Sequence, residues 1–202
     1  MKKSVGNKIL LSIIIPYHQK KKFFHSTIKS IYSQTFKNYE VILIYDDNDY
    51  REINFVKNQL KKIKNRKLII NKKILGPGLS RNIGIKHAKG KLIAFCDADD
   101  TWHKNKLSEQ IKFMIKNNLQ FSHTSYNVIN FNGKKVGQFK IKEKLNYSDL
   151  LKSCDIGLST VVVEKKILNS SKFCNLKTKE DYYLWLKLVK KLKIIKGNKK
   201  YL

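Results

Sequence analysis

The sequence predicts an α/β protein with a Rossmann-like, mostly parallel central sheet and helices on both faces. Three observations carry that expectation. Strand-like apolar runs alternate with segments of helical periodicity through the first hundred residues. The runs are almost continuously apolar, as strands covered on both faces are. The chain's scarce carboxylates gather where two of those runs end, and open α/β sheets bind ligands beyond the carboxyl ends of their strands.

The elements follow in order. Ile9–Ile15 reads as a buried first strand. The basic Met1-Lys2-Lys3 ahead of it gives the segment to Tyr17 some likeness to a short signal peptide. Ser12 interrupts that run, no small-residue cleavage site follows, and Lys20-Lys21-Lys22 comes soon after, so a strand is the better reading. Phe24, Ile28 and Ile31 lie at helical spacing. Glu40–Tyr45 is a second strand, and Ile53, Val56, Leu60 and Ile63 mark a second helix. Lys67–Asn71 is a third strand. Leu79–Ala88 is a helix with Gly90 as its stop, and Leu92–Cys96 is a fourth strand.

Beyond Asp100 the alternation loosens. Leu107, Ile111, Met114 and Ile115 form an apolar helix stripe, Phe121–Phe131 and Leu158–Val163 read as strands, and Glu180–Leu192 is a last helix with Trp185 and Leu188 in the core. No repeat or linker divides the chain. The expected organisation is one domain over 1–202, with a nucleotide-type half at 9–100 and a less regular half at 101–202.

Composition narrows the function. The 202 residues carry 43 Lys and Arg against 15 Asp and Glu, a net charge of +28. A hydrophobic fraction of 42% excludes a disordered basic tail. A mean hydropathy of −0.44, without a long apolar run, argues against a membrane-spanning helix. The charge suggests nucleic acid or an anionic membrane surface as partner. Yet only Arg51, Arg66 and Arg81 are arginines, and groove readers rely on arginine for bidentate contacts. An excess of Lys, Ile and Asn with two prolines is what an AT-rich coding sequence produces. Most of the charge therefore reads as a lysine background on solvated faces. Cys96, Cys154 and Cys174 form no C-x-x-C pair, which fits idle thiols in a reducing compartment. The five histidines are scattered, which argues against zinc.

Against that background the acidic residues stand out. Six of the 15 sit at two strand ends, in Asp46-Asp47-Asn48-Asp49 and Asp97-Ala98-Asp99-Asp100. Two carboxylates two residues apart after a buried strand suit Mg²⁺ or Mn²⁺, which take a few carboxylates plus substrate phosphates. The structural alternative is that Asp100 or Thr101 caps the next helix. Neither a Walker-type phosphate loop nor a G-x-G-x-x-G fingerprint is present, and Gly76-Pro77-Gly78 reads as a turn into a helix. Trp102, next to the acidic cluster, is either a pocket wall or a packing residue.

Together these segments resemble the family 2 glycosyltransferases, which have the GT-A fold and use nucleotide sugars. The likeness runs from Leu11-Ser12-Ile13-Ile14-Ile15-Pro16-Tyr17-His18 through Ser33-Gln34-Thr35-Phe36 and Tyr39–Asp47. It continues through Gly76–Ile85 and Ala88-Lys89-Gly90 to Phe95–Asp100, and returns at Glu180-Asp181-Tyr182-Tyr183-Leu184-Trp185. The resemblance implies an inverting transfer from a nucleotide sugar, with UDP the favoured nucleotide, to a hydroxyl of a surface-glycan or lipid-linked acceptor. It implies that the loop after Pro16 and the carboxylate of Asp47 hold the base. Arg81 faces the nucleotide, Asp97 lies near the ribose, Asp99 ligates Mn²⁺ or Mg²⁺ on the diphosphate, and Asp181 is the general base. Residues alone leave Asp181 a second role, since Thr178-Lys179-Glu180-Asp181 has the spacing of a capping box.

The chain departs from the family at Gln19 and at Asn48-Asp49. Its end at Leu202, soon after the Asp181 segment, suggests a minimal acceptor site or one completed by another subunit. The expected location is cytoplasmic, peripheral on the inner membrane face, with an anionic membrane surface as an additional partner. The competing readings are a nucleotidyltransferase that makes the nucleotide sugar, which lacks its Gly-rich signature here, and a lysine-rich nucleic-acid or polyanion binder.

Overall fold

The computed structural model describes residues 9–202. Met1-Lys2-Lys3, the basic part of the signal-like segment, lies outside the described residues. Strand β1 (Leu11–Tyr17) runs parallel to β2 (Tyr39–Tyr45), with Ile13 opposite Val41 and Ile15 opposite Leu43. Helix α1 (Lys21–Tyr32) makes the crossover and buries Phe24, Thr27, Ile28 and Ile31. Helix α2 (Ile53–Leu60) leads to β3 (Arg66–Ile70), parallel to β2. Helix α3 (Pro77–His87) then returns the chain to β4 (Leu92–Phe95), on the other side of β1.

The order β3-β2-β1-β4 therefore reverses at β1. A crevice opens at such a switch point, because the flanking crossovers leave on opposite faces. The side-chain alternation agrees. Ile13, Ile15, Val41 and Leu43 pack with α1 and α2, while Ile14, Ile42 and Ile44 join the cluster on the α3 face.

The second half extends the same sheet in mixed fashion. Helix α4 (Lys106–Lys116) precedes β5 (Phe121–Ile129), β6 (Lys135–Phe139) and β7 (Lys144–Asn146). Helix α5 (Tyr147–Lys152), β8 (Val162–Glu164), α6 (Lys165–Leu168), α7 (Glu180–Leu192) and β9 (Ile194–Tyr201) complete the chain. The sheet has nine strands among the described residues, continuing β4-β8-β5-β9-β7, with β6 attached to β5 alone. Helix α7 closes the second face, its Leu184, Trp185 and Leu188 packing with Phe95 and Phe121. The α/β expectation, with helices on both faces, holds.

Some element boundaries need correction. Leu158–Thr160 is a 3₁₀ turn rather than strand, because Gly157 accepts from both the amide and the hydroxyl of Thr160. The strand from Phe121 stops at Ile129, and Phe131 sits in the following turn. Ile115 is exposed, so the buried stripe of α4 is Leu107, Ile111 and Met114. Helix α3 begins at Pro77, where a missing N–H costs nothing. It ends at His87, so Gly90 is not its stop. Gly90 is small for another reason: a Cβ there would lie 2.6 Å from the Ser12 nitrogen and 2.7 Å from the Leu11 carbonyl carbon.

Candidate active site

The crevice is built by the loops after β1, β2 and β4 and by the first turn of α7. After β1 the chain turns sharply at Gln19, whose φ is 50°. Asp47 holds that turn: its carboxylate accepts from the Gln19 amide at 2.8 Å and the Asp49 amide at 3.1 Å, with His18 Nδ1 3.5 Å away. Its neighbour Asp46 pins the opposite loop. One Asp46 oxygen accepts from Asn71 Nδ2 and the Leu75 amide, and the other from the Gly76 amide. Gly76 has φ 84°, a conformation that favours glycine, and it aims the start of α3 into the crevice. Gly78 lets α7 approach, since a Cβ there would lie 2.9 Å from Glu180 Cγ.

Arg81 lies at the centre and is 4% exposed. Its Nη2 donates to Asp97 at 2.7 Å and its Nη1 to Glu180 at 2.6 Å. The guanidinium also stands 5.4 Å from the Phe173 ring centre. Lys20 makes a 2.7 Å ion pair with Asp99 at the rim. The cavity they enclose holds about 670 Å³ and is lined by Pro16, Lys20, Arg81, Asp97 and Asp99, with Glu180 in its wall. Four residues expected at the nucleotide and metal, namely Pro16, Arg81, Asp97 and Asp99, thus converge on one cavity. Asp47 and Asp181 are set back from it, each beside a residue that lines it, Asp46 and Glu180.

Asp181 sits in the first turn of α7 and is largely buried. Burial pushes its carboxyl above the ordinary value, Glu180 adds to the rise, and the Tyr182 amide and Arg81 oppose it. The capping-box alternative is not what the structure shows. Helix α7 starts at Glu180 behind Lys179, which has φ 60°, and no side chain caps it. Asp100 and Thr101 cap nothing either, because α4 begins at Lys106 behind Asn105. Asp100 bonds the Ser159 hydroxyl. Ser159 also accepts from the Asp97 amide, and its carbonyl accepts from Trp102 Nε1 at 2.9 Å. Trp102 is both packed and a wall. It lines a second cavity of about 500 Å³ with Tyr126 and Phe131, and that cavity shares Lys20 and Asp99 with the first.

Three wall residues escaped the sequence reading. Glu180 was visible as the acid beside Asp181, and Asp46 as the first of two aspartates. Lys20 was hidden in a run of three lysines that looks like background.

The donor chemistry bears on a divalent cation. No group of three or more His, Cys, Asp or Glu side chains converges among the described residues. That excludes a cage made by these residues alone. It fits the Mg²⁺ and Mn²⁺ mode, in which one or two carboxylates and substrate phosphates share the ion. Asp99, half-buried at the cavity rim, fits that role.

Known proteins match this chain in sequence and shape. The family model described as glycosyl transferase family 2 covers residues 12–173. The Escherichia coli enzyme WfgD, named UDP-Glc:alpha-D-GlcNAc-diphosphoundecaprenol beta-1,3-glucosyltransferase, is 38% identical over 185 residues, which is 90% of this chain and 70% of WfgD. Staphylococcus aureus TarS in complex with UDP superposes with a TM-score of 0.79 at 23% identity, over 95% of this chain and 59% of the TarS chain. A mannosyltransferase from Pyrobaculum calidifontis, in complex with GDP-Man and Mn²⁺, has a TM-score of 0.68 at 13% identity, over 95% of this chain and 54% of that one.

Proposed function

Because the chain belongs to glycosyltransferase family 2 and has the GT-A fold, we propose that it moves a sugar from a UDP-sugar to a hydroxyl of a lipid-linked surface-glycan acceptor, with inversion. The carrying observation is the convergence of Pro16, Arg81, Asp97 and Asp99 on one cavity at the switch between β1 and β4. The family assignment displaces the nucleotidyltransferase and polyanion-binder readings. The UDP donor and the acceptor class are supported by the name of the Escherichia coli relative and by the UDP complex of TarS.

In this reading the base lies against the loop that Asp47 holds, and Asp97 takes the ribose. Arg81, already fixed by two carboxylates, keeps Asp97 oriented without having to move. Asp99 would hold a divalent cation together with the diphosphate, and that ion would supply positive charge against the leaving group. Lys20 stands beside the same carboxylate and adds a second positive charge. Asp181 takes the proton from the attacking hydroxyl, and its raised affinity for protons makes it a stronger base than an exposed carboxylate. The second cavity, joined to the first at Asp99, receives the acceptor. Residues 9–100 serve chiefly the donor and 101–202 chiefly the acceptor, although Glu180 walls the donor cavity and Lys20 and Asp99 line both. The enzyme works at the cytoplasmic face of the membrane that holds its acceptor.

The test combines binding with turnover. UDP with Mn²⁺ raises the melting temperature, as a ligand of the folded state does. UDP-sugar turnover is lost in Asp99→Asn and Asp181→Asn. No stabilisation by any nucleotide refutes the donor site, and wild-type turnover by Asp181→Asn refutes the base.

A further inference from the structure

In the β5–β6 hairpin, β6 pairs with no strand but β5 among the described residues. The hairpin's outer half is apolar in an unusual way. Val128 is 45% exposed, Ile129 46%, Phe131 79% and Val136 61%. Val128 and Ile129 are successive strand residues, so they point to opposite faces. A hairpin packed on a core hides one of its faces, whereas this one shows apolar side chains on both. Exposed apolar clusters of this kind mark interaction sites.

The hairpin's own charged side chains are all positive, and the carboxylates of the cavity beside it are Asp99, paired with Lys20, and Asp100. No carboxylate occurs in the sequence between Glu109 and Glu143. Lys134 and Lys135 lie at the turn, and Lys21 and Lys22 open α1 alongside. The two elements touch: the Phe23 and Phe131 rings are 6.0 Å apart, and Lys22 Nζ stands 5.7 Å from one and 5.6 Å from the other. Aromatic wedges ringed by lysines suit the boundary of an anionic bilayer, where the ring enters the acyl edge and the ammonium groups meet phosphate. Phe23 and Phe131 also line the second cavity.

We propose that the outer β5–β6 hairpin, with the start of α1, is a docking surface for an anionic lipid bilayer, seating the second cavity's mouth on the membrane. An anionic bilayer matches the positive charge of the hairpin itself, which a second copy of this chain, itself at +28, does not. The lysine on the outer edge of β6 also discourages strand-to-strand pairing between copies. The surface stands on its exposed side chains. Only its purpose, bringing the enzyme to a lipid-linked acceptor, rests on the proposed function.

Co-sedimentation with vesicles tests it. The protein is expected to pellet with equal parts phosphatidylglycerol and phosphatidylcholine and to stay in solution with phosphatidylcholine alone. Two variants, Lys134→Glu with Lys135→Glu and Phe131→Ser with Val136→Ser, each weaken binding about tenfold or more, the first through lost attraction to phosphate and the second through lost apolar insertion. Lys61→Glu with Lys64→Glu, at the far end of the sheet beside β3, matches the charge change and leaves binding within about twofold. Failure to bind anionic vesicles, undiminished binding by both hairpin variants, or an equal loss in the control pair overturns the proposal. So does light scattering that shows a dimer dissolved by the Phe131→Ser, Val136→Ser protein. Stabilisation by UDP, measured on the Lys134→Glu, Lys135→Glu protein, separates a failed membrane surface from a failed donor site.

Discussion

Arg81 Nη1 donates to Glu180 Oε1 at 2.6 Å across 99 residues of sequence, tying the end of the parallel block to the first turn of α7. Both side chains are buried, and Phe173 covers the guanidinium. Removing one partner of a buried pair leaves the other charge without compensation, at a cost of about 3–5 kcal/mol. Arg81→Ala is therefore expected to lower the urea midpoint strongly, and Arg81→Met with Glu180→Gln to recover much of the loss. Neither regains stabilisation by UDP, because Asp97 has lost its second anchor. Unfolding curves for the two variants, with and without UDP, check both statements.

The parallel half of this fold is legible because β1, β2 and β4 are short apolar runs buried on both faces, such as Val41–Tyr45, and helices such as α1 have one buried stripe. The later strands are not. β9 reads Ile-Ile-Lys-Gly-Asn-Lys-Lys-Tyr and is held by pairing with β5 and β7 rather than by a hydrophobic pattern. β6 and β7 are short and polar, so neither period appears. The site divides the same way. Asp97 and Asp99 stand out as acids in a basic chain, but no spacing reveals that Glu180 meets Arg81, since only the folded sheet brings them together.

Asp181 carries a prediction with two readouts. Replacing a general base lowers kcat by about a hundred- to ten-thousand-fold. The acid limb of the wild-type rate profile should lie above the ordinary aspartate range, because burial raises the carboxyl. A carboxyl raised in the folded state binds more protons than its unfolded counterpart, so its charge costs stability once the pH passes above both values. Asp181→Asn should be at least as stable as wild type at neutral pH, with the difference closing in acid. An inactive variant that is also strongly destabilised would point to a structural role instead.

His123 predicts acid sensitivity. It is fully buried in β5, and neither ring nitrogen has a hydrogen-bond partner. Burial pushes it down to about 4, from an unfolded value of 6.5. The unfolded chain therefore binds the extra proton first as the pH falls, and stability drops through the window from 6.5 to 4. The loss approaches about 3 kcal/mol at the lower end. His123→Leu removes this component, so its urea midpoint should fall less steeply over that window. Identical slopes for the two proteins would refute it.

Lys106 makes a second case of the same sign at higher pH, a buried cation whose cost fades as the pH rises. It is fully buried at the start of α4, with Nζ donating to Gln110 Oε1 at 2.6 Å and the Thr160 carbonyl at 3.2 Å, over the Trp102 ring. Burial pushes it down to about 7 from 10.5. Between those values the unfolded chain holds a proton that the folded chain has released, so stability rises with pH across the window. Below pH 7 the full penalty applies, on the order of 5 kcal/mol. Lys106→Met removes that penalty but leaves Gln110 Oε1 unpaired, which costs about 1–3 kcal/mol. The variant should be more stable than wild type at pH 6 and less stable near pH 10, so the two stability curves cross. Parallel curves would show that the ammonium group is better solvated than its surroundings imply. A crossing would show that α4 carries a charge the protein holds against its own stability, directly beneath Trp102 and the second cavity.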